Sequence, residues 1–135
     1  MEDGENQRMN ENALCPGLGD YLIVQARNNH WSNHRLHSAC LRLPALEYYA
    51  NRPSYFGSIH IHLDHIVFVD WLYLERLTEE QYLPTNVGVE LHSELAPLVE
   101  DQVTADKALI EYCEAATPET LVSKVSFNLL DGTHY

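Results

Sequence analysis

The sequence contains few cysteines, little positive charge and no long apolar run. Its three cysteines, Cys15, Cys40 and Cys113, are far apart and outside any C-x-x-C pair, which argues against a disulfide framework and against a cysteine-built zinc site. We expect reduced thiols, with Cys40 and Cys113 acting as small core residues. No apolar run approaches the roughly 20 residues that cross a bilayer, and the amino terminus is acidic where a secretory signal is basic. The sequence therefore predicts a cytoplasmic protein without a membrane segment.

Basic residues are scarce, because eight lysines and arginines stand against 20 acidic residues and give a net charge of −12 at pH 7. A chain this acidic lacks the electrostatic footprint for phosphate backbones, so neither nucleic acid nor an anionic membrane is an expected partner. Residues 1–63 carry six acids and five bases, whereas residues 64–135 carry fourteen acids and three bases. We expect the second half to present an anionic face, which serves either solubility or a basic partner.

The chain is long enough for one domain, since 135 residues with 45% apolar content can build a single core. Residues 1–19 are polar, contain proline and several glycines, and show no apolar period. We therefore predict a flexible leader over residues 1–19 and one domain over residues 20–135.

The first stretch of the domain is predicted to be an amphipathic helix over residues 20–43. Asp20 is a candidate N-cap and Pro44 a candidate stop. Spacings of three and four place one stripe along the helix, formed by Leu22, Ala26, Asn29, Asn33, Leu36, Cys40 and Leu43.

The second predicted helix covers residues 58–78, with Ser58 as the N-cap and no glycine or proline inside. Its apolar residues occupy more than one face, which indicates burial on two sides. One side is expected to form the core, and Val67, Trp71 and Leu74 are candidates for a second contact such as a dimer interface.

A third stripe predicts a helix over residues 92–116. This helix begins either near Ser93, with Pro97 in its first turn, or at Pro97 itself. A short alternating stretch from Val122 to Phe127 and an Asp131-Gly132 turn follow. Three long helices predict an all-α, up-and-down bundle that is one helix short of four.

Eight histidines are the main source of candidate chemistry. His30, His34 and His37 lie on one flank of the first helix, beside its apolar stripe, at the i, i+4 spacing that helical zinc sites use. We expect these three side chains to be at least partly exposed, with metal binding as the alternative. Asn29 and Asn33 lie within the stripe, where buried amides usually join a hydrogen-bond network.

The second helix carries His60, His62 and His65 together with Asp64 and Asp70. His65 is in line with apolar positions, so it needs either a hydrogen-bond partner in the core or a metal. Asp70 is about 140° further around the helix, which makes it a poor co-ligand for the same metal and favours a role in anchoring a neighbouring helix. Motifs of other chemistries, such as a phosphate-binding loop, G-x-S-x-G or H-E-x-x-H, are missing from the sequence.

Two segments match a family pattern: a W-x-N in the first helix and an F-G-S-I run that opens the second. The sequence here resembles the DinB family of helical metalloenzymes, over roughly residues 20–133. The matching residues are Trp31, Asn33, Phe56, Gly57, Ser58, Ile59, Leu63, His65, Asp70 and Arg76.

The resemblance implies a four-helix bundle, often dimeric, that holds one divalent metal ion such as nickel, zinc or iron through three histidines. It implies that His65 is the first ligand, with two more from an H-x-x-x-H pair on a fourth helix. The sequence ends at Tyr135, where that helix is expected to begin, and His134 stands alone. We therefore expect either a truncated member or a site that regains ligands from a partner chain or from His30 and His34.

Two functions follow from the resemblance. The first is a metal-dependent transferase, isomerase or hydrolase type of scaffold that acts on a small thiol or another small molecule and is impaired by the missing ligands. The alternative is a catalytically inert helical module that serves homodimerisation and holds no metal.

Overall fold

The computed structural model describes residues 17–83 and 90–127. Within these ranges every regular element is an α-helix, which confirms the all-α fold class. The elements are α1 (Leu18–Cys40), α2 (Ala45–Tyr48), α3 (Ile59–Thr78), α4 (Leu95–Ala115) and α5 (Pro118–Leu121). None of these helices combines the length and the apolar character that a bilayer crossing requires. The predicted leader up to residue 16 and the predicted Asp131-Gly132 turn lie outside the described residues.

The ends of α1 differ from the prediction at both termini. Gly17 is the N-cap, and Asp20 lies in the first turn, where its Oδ2 accepts a hydrogen bond from the Gly17 N–H at 3.1 Å. The prediction of Asp20 as the N-cap is therefore wrong, although its charge still complements the helix N-terminus. The helix ends at Cys40, and Pro44 is the N-cap of the short helix α2 instead of the stop of α1.

The predicted start of α3 is confirmed, because the Ser58 hydroxyl accepts a hydrogen bond from the Ile61 N–H at 3.2 Å. The helix runs to Thr78 despite its β-branched residues. α4 starts at Leu95, so Pro97 lies in the first turn, where its missing N–H removes no intrahelical bond. Residues 123–127 form neither strand nor helix.

α4 is the common packing partner of the two other long helices. Both α1 and α3 make their main interhelical contacts with α4 instead of with each other. The apolar core lies along these contacts and is extended by α2 and by Leu83. Its buried members are Cys40, Tyr48, Leu63, Val67, Trp71, Leu74, Leu83, Leu98 and Ala105.

Two predictions about apolar faces are wrong. Val67, Trp71 and Leu74 belong to the chain's own core because α4 covers this face of α3, so they are not free to form a second contact. On α1, Ala26, Asn33 and Cys40 of the predicted stripe are buried, but Leu36 is exposed and His37 is buried in its place, so the prediction is wrong at Leu36.

Leu98 tests the role of α4 in the core, because its side chain is fully buried. We expect Leu98→Ala to lower the free energy of unfolding by about 2–5 kcal/mol through lost burial and a new cavity. Leu46→Ala is the matched control, since Leu46 is 83% exposed, and a surface change of this kind is expected to stay within about 0.5 kcal/mol. Urea denaturation followed by circular dichroism measures both, and equal effects of the two substitutions would contradict the assigned core.

Candidate functional site

His65 lies on α3 in a half-buried, aromatic environment. Its ring centroid is 4.4 Å from that of Phe56 and 6.2 Å from that of Phe68. Gly57 positions Phe56: its φ of 83° lies in the left-handed region, and a Cβ there would come within 3.3 Å of Asn51 Oδ1. Among residues 17–83 and 90–127, no hydrogen bond reaches the His65 ring. In this part of the chain the His65 imidazole therefore packs against the rings of Phe56 and Phe68 and has no hydrogen-bond partner.

The described residues of one chain do not complete a metal site around His65. No group of three histidine, cysteine, aspartate or glutamate side chains in the described ranges is arranged to hold a metal ion. His30 and His34 therefore do not supply the missing ligands within one chain, and His134 lies outside the described residues. A metal that uses His65 needs further ligands from elsewhere.

The three histidines of α1 occupy different environments. His34 is exposed and His30 is partly exposed, as predicted, but His37 is buried, and its predicted exposure is wrong. Burial lowers the pKa of His37, while the charge of Asp106 opposes this shift. His37 lies at the interface between α1 and α4, and its imidazole therefore favours the neutral form.

His60 serves the structure of the chain. Its Nε2–H donates to the backbone oxygen of His92 at 2.7 Å, which leaves Nδ1 to accept from the Tyr48 hydroxyl at 3.0 Å. Glu90 Oε1 also lies 3.2 Å from Nε2. Burial raises the pKa of the Tyr48 phenol. These contacts tie α2 and the segment before α4 to α3.

Asp64, one turn after His60, holds the same segment before α4. Its buried carboxylate accepts from the backbone N–H groups of Leu91 and His92, at 2.6 and 3.0 Å, and from His92 Nδ1 at 2.8 Å. The opposite ring nitrogen of His92 lies 3.2 Å from Asp101 Oδ2, and the other oxygen of Asp101 accepts from the Trp71 indole at 3.0 Å. Sequence analysis missed this cluster because its members lie on separate elements.

A second buried carboxylate, Asp106 on α4, joins α4 to α1. Its Oδ1 accepts from the side-chain amides of Asn29 at 3.2 Å, Asn33 at 2.8 Å and Gln102 at 3.1 Å. Its Oδ2 lies 3.1 Å from His30 Nδ1. The predicted amide network of Asn29 and Asn33 is confirmed, and its acceptor is a residue that sequence analysis did not single out. The available signal in the sequence was the position of Asp106, a charged residue that directly follows the apolar Ala105 of the predicted third helix.

Asp70 extends this network to α3. Gln102 Nε2 donates to Asp70 Oδ2 at 2.7 Å as well as to Asp106, so one amide group bridges two carboxylates. The prediction that Asp70 anchors a neighbouring helix is confirmed. Burial raises the pKa of Asp70, with the nearby Asp106 adding to the shift and the Gln102 hydrogen bond opposing it. Six residues take part in these hydrogen bonds, and we name them the Asp106 network: Asn29, His30, Asn33, Asp70, Gln102 and Asp106.

The model of the DinB family matches residues 9–124, which is most of the 135-residue chain. The chain belongs to the DinB family. Searches of curated proteins and of solved structures found no match. The DinB assignment agrees with the all-helical fold and with the motif residues Asn33, His65 and Asp70, which the structure places on α1 and α3.

Asp106→Asn tests the Asp106 network. The substitution keeps the shape of the side chain but replaces a charged acceptor with an amide that cannot accept from all its donors. We expect the free energy of unfolding to fall by about 2–4 kcal/mol, because buried donors lose a charge-assisted acceptor. Glu111→Gln on the exposed side of α4 is the control and should be near neutral. Chemical denaturation measures both, and a neutral Asp106→Asn would contradict the network.

Asp70→Asn tests the raised pKa of Asp70. When folding raises the pKa of an acid, ionisation is disfavoured in the folded state, so stability falls as the pH rises from the ordinary aspartate range through the folded pKa. The variant removes this cost. We expect it to gain stability relative to the wild type as the pH rises from about 3.5, near the ordinary pKa, to 7. Denaturation midpoints across this range measure the difference, and a wild type that gains stability relative to the variant would contradict the assignment.

Proposed function

We propose that this DinB-family chain is a divalent-metal-binding helical bundle of the cytoplasm, in which His65 supplies one ligand. The observation that carries the proposal is the environment of the His65 ring and its lack of a hydrogen-bond partner among the described residues. The ring occupies the histidine position of the family motif, it is half-buried between Phe56 and Phe68, and no hydrogen bond from the described residues occupies it. Such a ring keeps a nitrogen available for a metal.

The other ligands of this site come from outside the described residues of one chain. Zinc sites in proteins use three or four protein ligands, and the described residues contain no such group. A second copy of the chain can contribute His34, which is exposed, together with His30 once His30 leaves Asp106. A single chain limited to His65 is therefore expected to bind a metal weakly.

Nickel, zinc and iron are the candidate metals, since imidazole nitrogen suits all three. A divalent metal of this kind is a Lewis acid toward water and small thiols, and a small thiol is the substrate class that the family resemblance suggests. Among residues 17–83 and 90–127 we assign no catalytic residue, so the proposal extends to metal binding and not to a reaction.

The alternative function is an inert module that self-associates without metal. The observation in its favour is the apolar surface of α1, where Tyr21, Val24 and Trp31 are more than half exposed. Metal content separates the two functions, because the inert module takes up no metal at any position of the chain.

The decisive experiment titrates nickel or zinc into the purified chain by calorimetry at neutral pH. We expect His65→Ala to weaken binding by about tenfold or more, because one of few ligands is lost. His62→Ala is the matched control: His62 lies on the same helix, and its Nδ1–H donates to the Ser58 carbonyl at 2.7 Å. Circular dichroism verifies that both variants stay folded.

Two outcomes would contradict the proposal. One is metal uptake that is the same in the wild type and in His65→Ala. The other is uptake that survives His65→Ala but disappears in the His30→Ala/His34→Ala double variant, which would place the site on α1. A wild-type chain without measurable uptake favours the inert module.

A further inference from the structure

The last turn of α3 carries an arginine, Arg76, whose guanidinium lies against two aromatic rings. Its central carbon is 4.2 Å from the ring centroid of Phe127 and 5.4 Å from that of Tyr73. Phe127 reaches this place from the segment that follows α5. The side chain of Arg76 is half-buried, and cation–π attraction to the two rings holds the guanidinium in a defined position.

Arg76 lacks a carboxylate partner, although the chain contains 20 acidic residues against eight basic ones. Arg27 and Arg52, in contrast, each pair with a glutamate, at 2.7 and 3.0 Å. In the part of the chain that the structure describes, neither an ion pair nor a hydrogen bond engages the guanidinium of Arg76. A guanidinium has five N–H donors, so this half-buried cation keeps its donors available.

The acidic residues closest to Arg76 in the sequence are engaged elsewhere. Glu75 Oε1 accepts hydrogen bonds from the backbone N–H groups of Tyr82 and Leu83, and Glu80 Oε2 accepts from the Tyr82 hydroxyl at 2.8 Å. Side chains on a helix lean toward its N-terminus, so Arg76 lies over the preceding turn and not over the last carbonyl groups of α3. The local structure therefore leaves the charge of Arg76 without an anion.

We propose that Arg76 binds the carboxylate of a small organic acid whose apolar body packs against the ring of Tyr73. The two oxygens of a carboxylate lie in one plane and match the fork of guanidinium N–H groups, which makes arginine the preferred residue for this anion. Tyr73 is 57% exposed, so its ring offers an accessible apolar surface next to the cation.

The charge of the chain makes such a site selective. A net charge of −12 repels anions from the surface as a whole, so saturable binding of an acid requires a specific cationic site. The two rings already order the Arg76 side chain, which lowers the entropy that binding must cost. The same repulsion opposes entry of the acid, and we therefore expect the affinity to be modest.

The proposed site is separate from His65. Arg76 follows His65 by about three helical turns, a rise of roughly 16 Å, and both side chains lean in the same direction along α3. A small acid cannot contact both residues at this separation. The inference therefore does not rest on metal binding and can be tested in the metal-free chain.

A benzoate titration followed by NMR tests the site, with the backbone amide signals of Tyr73 and Phe127 as the readout. We expect saturable shifts in the wild type and binding weakened by about tenfold or more in Arg76→Gln, which loses the charged donors. Arg35→Gln is the matched control, because Arg35 also lies over a ring, that of Trp31 at 4.8 Å, but is exposed. It is expected to bind benzoate like the wild type.

Arg76→Lys keeps the positive charge without the planar fork, so we expect it to bind benzoate more weakly than the wild type and more tightly than Arg76→Gln. Circular dichroism verifies the fold of each variant. Benzamide has the shape of benzoate without its charge and is expected to give no saturable shift. A wild type that gives no saturable shift with benzoate, an Arg76→Gln variant that binds like the wild type, or equal binding of benzamide overturns the proposal. Inorganic phosphate that binds more tightly than benzoate overturns the assignment to a carboxylate.

Discussion

The arrangement of the long helices depends on the hydrogen bonds that the buried carboxylate of Asp106 accepts. A charge that is removed from water must be paired with donors, and α1 supplies them through Asn29, Asn33 and His30. Gln102 carries the same line of hydrogen bonds to Asp70 on α3. Because these groups must meet in one place, they fix how α1 and α3 slide and rotate on α4. Apolar packing alone allows several such registers, since one leucine contact substitutes for another at little cost.

This constraint also determines which side of α3 is available for function. Asp70 and the buried apolar residues of α3 turn toward α4, and His65 lies about 140° around the helix from Asp70. His65 therefore contacts the aromatic rings of Phe56 and Phe68 instead of the Asp106 network. The separation gives the two motif residues different tasks. Asp70 orders the helices of this DinB-family bundle, while His65 keeps its ring free of internal hydrogen bonds within the described residues.

Periodicity and caps predicted the local structure better than the contacts between elements. Ser58 marks the start of α3 because a hydroxyl next to free N–H groups acts locally, and amides inside a helical stripe indicate a buried network wherever their acceptor lies. The pattern places the stripe of α1 correctly at Ala26, Asn33 and Cys40, but it does not distinguish His37 from Leu36 at the edge of the buried face. The hydrogen bonds of Asp106 and of the Asp64–His92 pair join separate elements. Residue spacing within one element cannot predict such contacts.

The most direct test of the central role of Asp106 is a double-mutant cycle with Asn33, the donor at 2.8 Å. The free energy of unfolding is measured for the wild type, Asn33→Ala, Asp106→Ala and the double variant. If the carboxylate and the amide hold α1 on α4, the two substitutions are coupled by about 1–3 kcal/mol, in the range found for residues that share a hydrogen-bond network. Effects that add to within about 0.5 kcal/mol, as distant sites do, would contradict it.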